Sequence, residues 1–243
     1  MLSLDQCADQ YVLALSPREA IVGLSYRADD ADSFLREKAQ GLPRRRATLE
    51  AALAARPQAV VRYWGGDPRL LGALKRRGVT IVEIGEANDF DGVRKNIRLA
   101  AAALGQPARG EALIAGMRAK EAAARGAWRG SAALYMTPGG ATAGAGTLVD
   151  AILRAAGFVN LETGQGFRML SLEALALHPP KALVLGFYDG AALARAAWNP
   201  GQHALVRRQA RRAAVAELPG TMMGCPAWFV ADAAKLLADR APR

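Results

Sequence analysis

Short apolar runs alternate with stretches whose apolar positions recur every three or four residues along most of the 243-residue chain. The runs predict buried strands and the spaced positions predict amphipathic helices, because side chains repeat every two residues in a strand and every 3.6 in a helix. Strands are expected at 2–4 (LSL), 20–25 (AIVGLS), 59–63 (AVVRY) and 79–85 (VTIVEIG). Between them fall a helix from about Asp9 to Leu15, a helix that starts beside Thr48 and ends before Pro57, and an amphipathic helix within GGDPRLLGALKRRG. Thr48 is a suitable cap, and Glu50 sits in the first turn, near the positive end of the helix dipole. The stretch YRADDADSFLREKAQGLPRRR is polar and irregular, as surface loops are. From Asp89 to Leu104, and again from Pro107 to about Arg125, the pattern is helical throughout, with Pro107 suited to a first turn. After Trp128 come a strand at 132–136, a glycine-rich loop, a helix at 147–156, a strand at 158–161, a helix at 172–178 and a strand at 182–188. A helix near 190–197, a basic helix to about Arg212, a strand at 213–218 and a terminal helix complete the chain. Strands and helices alternating at this pace predict an α/β fold with open parallel sheets.

The chain also nearly repeats itself. TLEAALAARP at 48–57 and SLEALALHPP at 171–180 share a cap, an acid and a proline, and each runs into an apolar strand. Glu50 matches Glu173 and Pro57 matches Pro180 at one offset of 123 residues. RRGVTIVEIG (76–85) and RRAAVAELPG (211–220) correspond at a slightly shifted offset. The duplication predicts two Rossmann-like lobes, 1–104 and 129–243, joined by a single long interlobe helix within 105–128.

Composition narrows the class. Hydrophobic residues make up 51% of the chain and charged residues 22%, and no run approaches 18 apolar residues, so no membrane-spanning helix is expected. Met1 runs into LSLDQCADQYVLAL without the basic start and apolar core of a leader. A chain of this kind acts in the cytoplasm, or after export with its leader removed. Net charge is +10, and 26 of the 32 basic residues are arginine. That excess indicates an anionic partner gripped by guanidinium groups, or a compositional bias. Cys7 and Cys225 lack CxxC spacing, and two histidines do not make a zinc cluster; a single disulfide is open to the pair in an oxidising compartment.

Candidate catalytic chemistry is sparse. TPGGATAGAGT (137–147) lacks both the Lys-Ser/Thr of a phosphate-binding loop and the GxGxxG spacing, and reads as a tight turn lining a cleft. His178 reads as a helix-end residue, and His203 lies in a loop with no nucleophile motif near it. The arginine clusters at 44–46, 76–77, 207–208 and 211–212 have no interleaved aromatic residues, which weighs against nucleic-acid binding. The strand ends are more informative, since ligands of open parallel sheets bind beyond the carboxyl ends of the strands. Tyr26, Arg62, Tyr63, Trp64, Met136, Tyr188, Met223 and Trp228 fall there, and the loops leading to the repeated helices add Arg44, Arg45, Arg46, Phe167 and Arg168. Flat apolar surface mixed with guanidinium groups suits a bulky, partly anionic small molecule held between two lobes.

The opening SLDQCADQYVLAL, the pair TLEAALAARPQAVVRYWGG and SLEALALHPPKALVL, the segment GGATAGAGTLVDAILRAAGFVNL, and GCPAWFVADAA carry a resemblance. In order and spacing, over essentially the whole chain, they resemble the metal-chelate substrate-binding proteins of bacterial ABC importers, which carry cobalamin, ferric siderophores or haem. The resemblance implies a ligand in the cleft between two lobes bridged by one helix. It also implies one surface glutamate per lobe, Glu50 and Glu173, docking onto arginines of the permease dimer. An acid in a first helical turn also stabilises the helix by itself, by about 0.3–1 kcal/mol, but that accounts less well for its recurrence at one place in both lobes. Tyr26, Tyr63 and Phe167 fall where cobalamin-binding members place aromatic contacts. The run Arg44–Arg46 falls near where another aromatic would be, a departure from the cobalamin pattern that leans toward an anionic ferric siderophore, with cobalamin next and haem after it. A monomeric periplasmic receptor is implied, with no cofactor, no direct metal ligand, no nucleic-acid partner, no stable membrane insertion and no catalysis. Family members carry an export signal or a lipoprotein cysteine; Cys7 has no lipobox before it, and pairing with Cys225 is left open to it. The competing readings are an enzyme or metal-insertion factor on a similar scaffold, and a basic nucleic-acid-binding protein.

Overall fold

The computed structural model describes residues 1–189 and 203–242, so the helix expected near 190–197 lies outside the described residues. The chain groups into two compact units: 1–87, 91–116 and 224–228 form one, and 88–90, 117–223 and 229–243 the other.

In the first unit β1 (Leu2–Ser3), β2 (Ala59–Arg62) and β3 (Thr80–Glu83) form a parallel sheet in the order β1-β2-β3, with Leu2 opposite Val60 and Val60 opposite Ile81. The run 20–25, expected as a strand, contributes only single bridges, Gly23 to Leu2 and Leu24 to Arg44. Its backbone leaves the ladder where Ser25 donates its N–H to the Asp9 carboxylate at 2.8 Å. The helices are α1 (Gln6–Leu15), α2 (Arg36–Ala39), α3 (Leu49–Ala55), α4 (Pro68–Lys75) and α5 (Phe90–Ala103), and α6 (Pro107–Ala124) passes from this unit into the second. Helix α1 starts earlier than the apolar periodicity predicts because Asp5 caps it, accepting from the Ala8 N–H at 2.9 Å. Thr48 and Asp67 cap α3 and α4 in the same way. Leu2, Leu4, Ala52, Val60, Leu70 and Leu74 form a core on which α3 and α4 close. Each fully buried leucine or valine there contributes about 1.5–3 kcal/mol.

The second unit holds β4 (Ala132–Met136), β5 (Ala141–Ala143), β6 (Val159–Asn160), β7 (Phe167–Met169), β8 (Ala182–Gly186) and β9 (Ala214–Leu218). Four of these make a parallel sheet in the order β6-β4-β8-β9. β5 and β7 pair antiparallel as a separate ribbon. The glycine-rich stretch is thus in part a strand rather than only a turn. Its Gly144 lies so close to the facing chain that a Cβ would stand 2.0 Å from the Gly164 carbonyl oxygen. The helices are α7 (Leu148–Ala155), α8 (Leu172–Leu177), α9 (Ala204–Ala213), α10 (Gly220–Met223) and α11 (Val230–Asp239). Trp128 stacks on Phe158 at 4.4 Å and donates its indole N–H to the Leu237 carbonyl at 2.7 Å, fixing α11 in this unit.

Candidate ligand-binding site

In the first unit the segment 63–65 leaves β2 and crosses the carboxyl end of β1. One carboxylate holds it there: Asp5 Oδ2 accepts from the backbone N–H groups of Tyr63 at 2.7 Å, Trp64 at 3.1 Å and Gly65 at 2.8 Å. Its other oxygen caps α1. A Cβ at position 65 would meet the Leu4 carbonyl oxygen at 2.4 Å, so the close approach requires glycine. Arg62 turns back beneath the segment, donating from Nε to the Gly65 carbonyl at 2.7 Å and pairing with Glu83. It is a brace for the loop rather than an open guanidinium. Trp64 remains 55% exposed, and Tyr63 is half-buried with Glu86 beside its hydroxyl. Burial first, and then the Glu86 carboxylate, push the Tyr63 phenol well above its usual value, so it stays protonated at neutral pH.

Tyr26 follows the Leu24 bridge and is 56% exposed, with the Arg46 guanidinium 5.7 Å over its ring. Arg44 pairs with Asp29 at 2.6 Å, and Arg45 donates to the Val22 carbonyl at 2.9 Å. Of the three arginines, 44 and 46 are exposed and 45 is half-buried. Asp9 lies under the Tyr26 loop and accepts from the Ser3 hydroxyl and from both the N–H and the hydroxyl of Ser25. Burial raises Asp9 to about 6, opposed by those hydrogen bonds.

That shift has a pH signature. The ordinary value of the Asp9 carboxyl is 3.8, and in the folded protein it is about 6. Between the two, the folded state keeps a proton that the unfolded chain has released. The Asp9 contribution to stability therefore falls as pH rises through about 4 to 6, then levels off. Its size is on the order of 2–3 kcal/mol. Chemical denaturation of the wild type and of Asp9→Asn in steps across this range should give a difference curve with that slope; a flat difference curve would contradict it.

Trp228, expected at a strand end facing ligand, is buried edge-on against Tyr11 at 5.8 Å. Tyr11 donates its hydroxyl to the Pro226 carbonyl at 2.5 Å, and Cys7 is disulfide-bonded to Cys225. The segment 224–228 is thus tied to α1 by three neighbouring contacts.

In the second unit Met136 is fully buried among Leu134, Leu183 and Leu185, and packs rather than facing solvent. Phe187, just past β8, adopts a left-handed φ of 61°, uncommon for a bulky residue. Tyr188 packs half-buried on the core, and its phenol is pushed up to about 12 by burial and then by Glu217. Met223 is half-buried in α10, whose first residue, Gly220, donates its N–H to the Asp189 carboxylate at 3.0 Å. Phe167 is 67% exposed on the ribbon. Arg168, beside it, lines a groove of about 390 Å³ with Met169, Leu175 and His178. His178 ends α8, and His203 caps α9. Glu50 and Glu173 are exposed in the first turns of α3 and α8, each two residues past a capping hydroxyl, Thr48 accepting from the Ala51 N–H and Ser171 from the Ala174 N–H. Among the described residues no group of three or more His, Cys, Asp or Glu is placed to hold a metal ion, and no helix is long and apolar enough to cross a membrane.

Three acids that periodicity did not single out bond the segments carrying the aromatic residues of the first unit: Asp5 the backbone of 63–65, Asp9 Ser25, and Glu86 the Tyr63 hydroxyl. The available signal was the Asp-x-x-x-Asp spacing at the start of α1, which puts both carboxylates on one face of a helix.

Open parallel sheets flanked by helices take their ligands beyond the carboxyl ends of the strands, where Trp64 is exposed past β2. Residues 2–186 match the periplasmic binding protein family, and the chain belongs to it. Among solved structures it is similar to the periplasmic heme-binding protein RhuT of Roseiflexus sp. RS-1, at 25% identity and TM-score 0.73, with 99% of this chain and 98% of that one covered. It is also similar to a periplasmic heme-binding protein of Pseudomonas aeruginosa (24%, TM-score 0.70, 99% and 91% covered). A third likeness is to the periplasmic vitamin B12-binding protein BtuF of Vibrio cholerae (18%, TM-score 0.65, 99% and 95% covered). The last two likenesses show the fold alone. No curated protein sequence matches the chain.

Proposed function

We propose that the protein is a periplasmic receptor that binds a metal chelate at the carboxyl ends of its parallel strands and delivers it to an ABC importer. The observation that carries this reading is the exposed pair Tyr26, just past the Leu24 bridge, and Trp64, just past β2, with Arg46 over the first ring. Exposed aromatic faces give a flat chelate apolar area, and guanidinium groups pair with its carboxylates or other oxyanions. Family membership and the likeness to RhuT, described as heme-binding, support the class of ligand. They also move haem ahead of the ferric siderophore that the arginine run alone favours, because haem combines a flat ring with two carboxylates. Glu50 and Glu173 serve as the docking acids for the permease, and the receptor acts as a monomer by binding rather than by turnover. The Cys7–Cys225 bond supports an oxidising compartment.

The test is thermal unfolding of the oxidised protein with hemin, cyanocobalamin, and catecholate, hydroxamate and citrate ferric complexes. A true ligand at a hundredfold excess over its dissociation constant should stabilise the protein by about 2.7 kcal/mol. No shift with any of these chelates would sink the proposal.

A further inference from the structure

We propose that Asp5 and Asp9, one helical turn apart at the start of α1, are positioning residues that hold the two aromatic strand-end loops in their ligand-binding arrangement. The inference rests on the ligand-binding reading above and adds residues that do not themselves face the ligand.

The geometry is direct. Asp5 gathers three consecutive N–H groups, those of Tyr63, Trp64 and Gly65, on one oxygen. Asp9 takes the N–H and hydroxyl of Ser25, the residue before Tyr26. Both acids are buried, so no water competes for these bonds, and each loop would otherwise carry unpaired N–H groups over the end of the sheet. Trp64 and Tyr26 are more than half exposed, the second with the Arg46 guanidinium over its ring. Their placement therefore depends on the backbone beneath them. Charge-assisted bonds from carboxylate to backbone N–H are the strong kind, and a ligand that needs both rings preorganised loses affinity when either loop is freed. Gly65 completes the device, since only a residue without Cβ fits against the Leu4 carbonyl at the distance these bonds require.

The experiment uses the full oxidised chain as wild type, Asp5→Asn, Asp9→Asn, Gly65→Ala and Trp64→Ala. Amide hydrogen exchange is read without ligand, and affinity is read by titration with hemin and the chelates named above. Asp5→Asn leaves one uncharged acceptor oxygen for the four N–H groups that the carboxylate serves, those of Ala8, Tyr63, Trp64 and Gly65, and exchange at 63–65 is expected to rise at least about tenfold. Asp9→Asn should do the same at Ser25 and leave 63–65 unchanged. Gly65→Ala, which keeps both carboxylates and adds a Cβ, should loosen 63–65 as Asp5→Asn does, and it decides the matter if Asp5→Asn does not fold. For the chelate that the wild type binds, all three variants should weaken binding by at least about tenfold while exchange in α5 stays at the wild-type rate. Trp64→Ala should weaken binding without changing exchange at the Gly65 amide. Unchanged exchange at 63–65 in both Asp5→Asn and Gly65→Ala would overturn the inference, and so would loosened loops with unaltered affinity. If the wild type binds none of the chelates, the proposed function fails, while the exchange rates still decide whether the acids hold the loops.

Discussion

Alanine at both Glu50 and Glu173 is expected to abolish chelate uptake into vesicles carrying the importer, with ligand affinity kept within about twofold of the wild type. Both side chains are exposed and lie in first turns, on α3 and α8. Losing each acid removes a favourable interaction with a helix dipole of about 0.3–1 kcal/mol, which is small against the roughly 5–15 kcal/mol that holds a typical domain folded. The protein should therefore stay folded and loaded. Docking is different. Truncating one partner of a desolvated charge pair costs about 2–5 kcal/mol, and two such contacts on one receptor reinforce each other through effective concentration. Each single variant should accordingly slow uptake, and the double variant should stop it. A matched control, Glu19→Ala with Glu37→Ala, removes two exposed acids elsewhere in the first unit and changes net charge equally. It should transport normally. Uptake by the Glu50/Glu173 double variant at the wild-type rate would remove these acids from the docking role. Loss of chelate affinity would place them in the ligand site instead.

The parts of the molecule legible in the sequence are those governed by local rules. Thr48 and Ser171 cap their helices, and the prolines and apolar runs that follow mark the ends of α3 and α8 and the starts of β2 and β8, because caps, breakers and periodicity act within a few residues. What was hidden depends on contacts distant in sequence. Asp5 lies ahead of the helix start that periodicity places at Asp9, and while one of its oxygens caps α1 the other serves N–H groups 58 to 60 residues further on. The run at 20–25 has a strand's composition, but its pairing is cut short by a bond to Asp9 on another element. Met136 and Trp228 fall near strand ends like the exposed aromatic residues, and only the packing of Leu183 and Leu185 on the one and of Tyr11 on the other makes them core. The stretch after β4 looks like a turn until its partner β7 is seen, a strand that pairs with it across the intervening helix α7. Site residues on loops are the least legible, since a loop's course is set by what it is bonded to rather than by its own pattern.

Replacing both Cys7 and Cys225 by serine is expected to lower stability by about 2–4 kcal/mol, with a drop in the unfolding midpoint of about 5–15 °C. The bond closes a loop of 218 residues, so its constraint on the unfolded chain lies at the upper end of what a single cross-link supplies. The folded state will retain part of the attachment, because Tyr11 still bonds Pro226 and packs on Trp228. That places the loss below the full chain-entropy figure. Both cysteines belong to the first unit, so hydrogen exchange should accelerate in β1–β3 and α1 far more than in β4–β9. Cys7 sits between Asp5 and Asp9 on α1, and so the same bond anchors the helix that holds the aromatic loops. Reduction of the wild type should reproduce the serine pair in both midpoint and exchange pattern, which separates loss of the bond from any effect of the substitutions. Equal midpoints for oxidised, reduced and serine forms would show that the contacts of Tyr11 alone hold residues 224–228 in place.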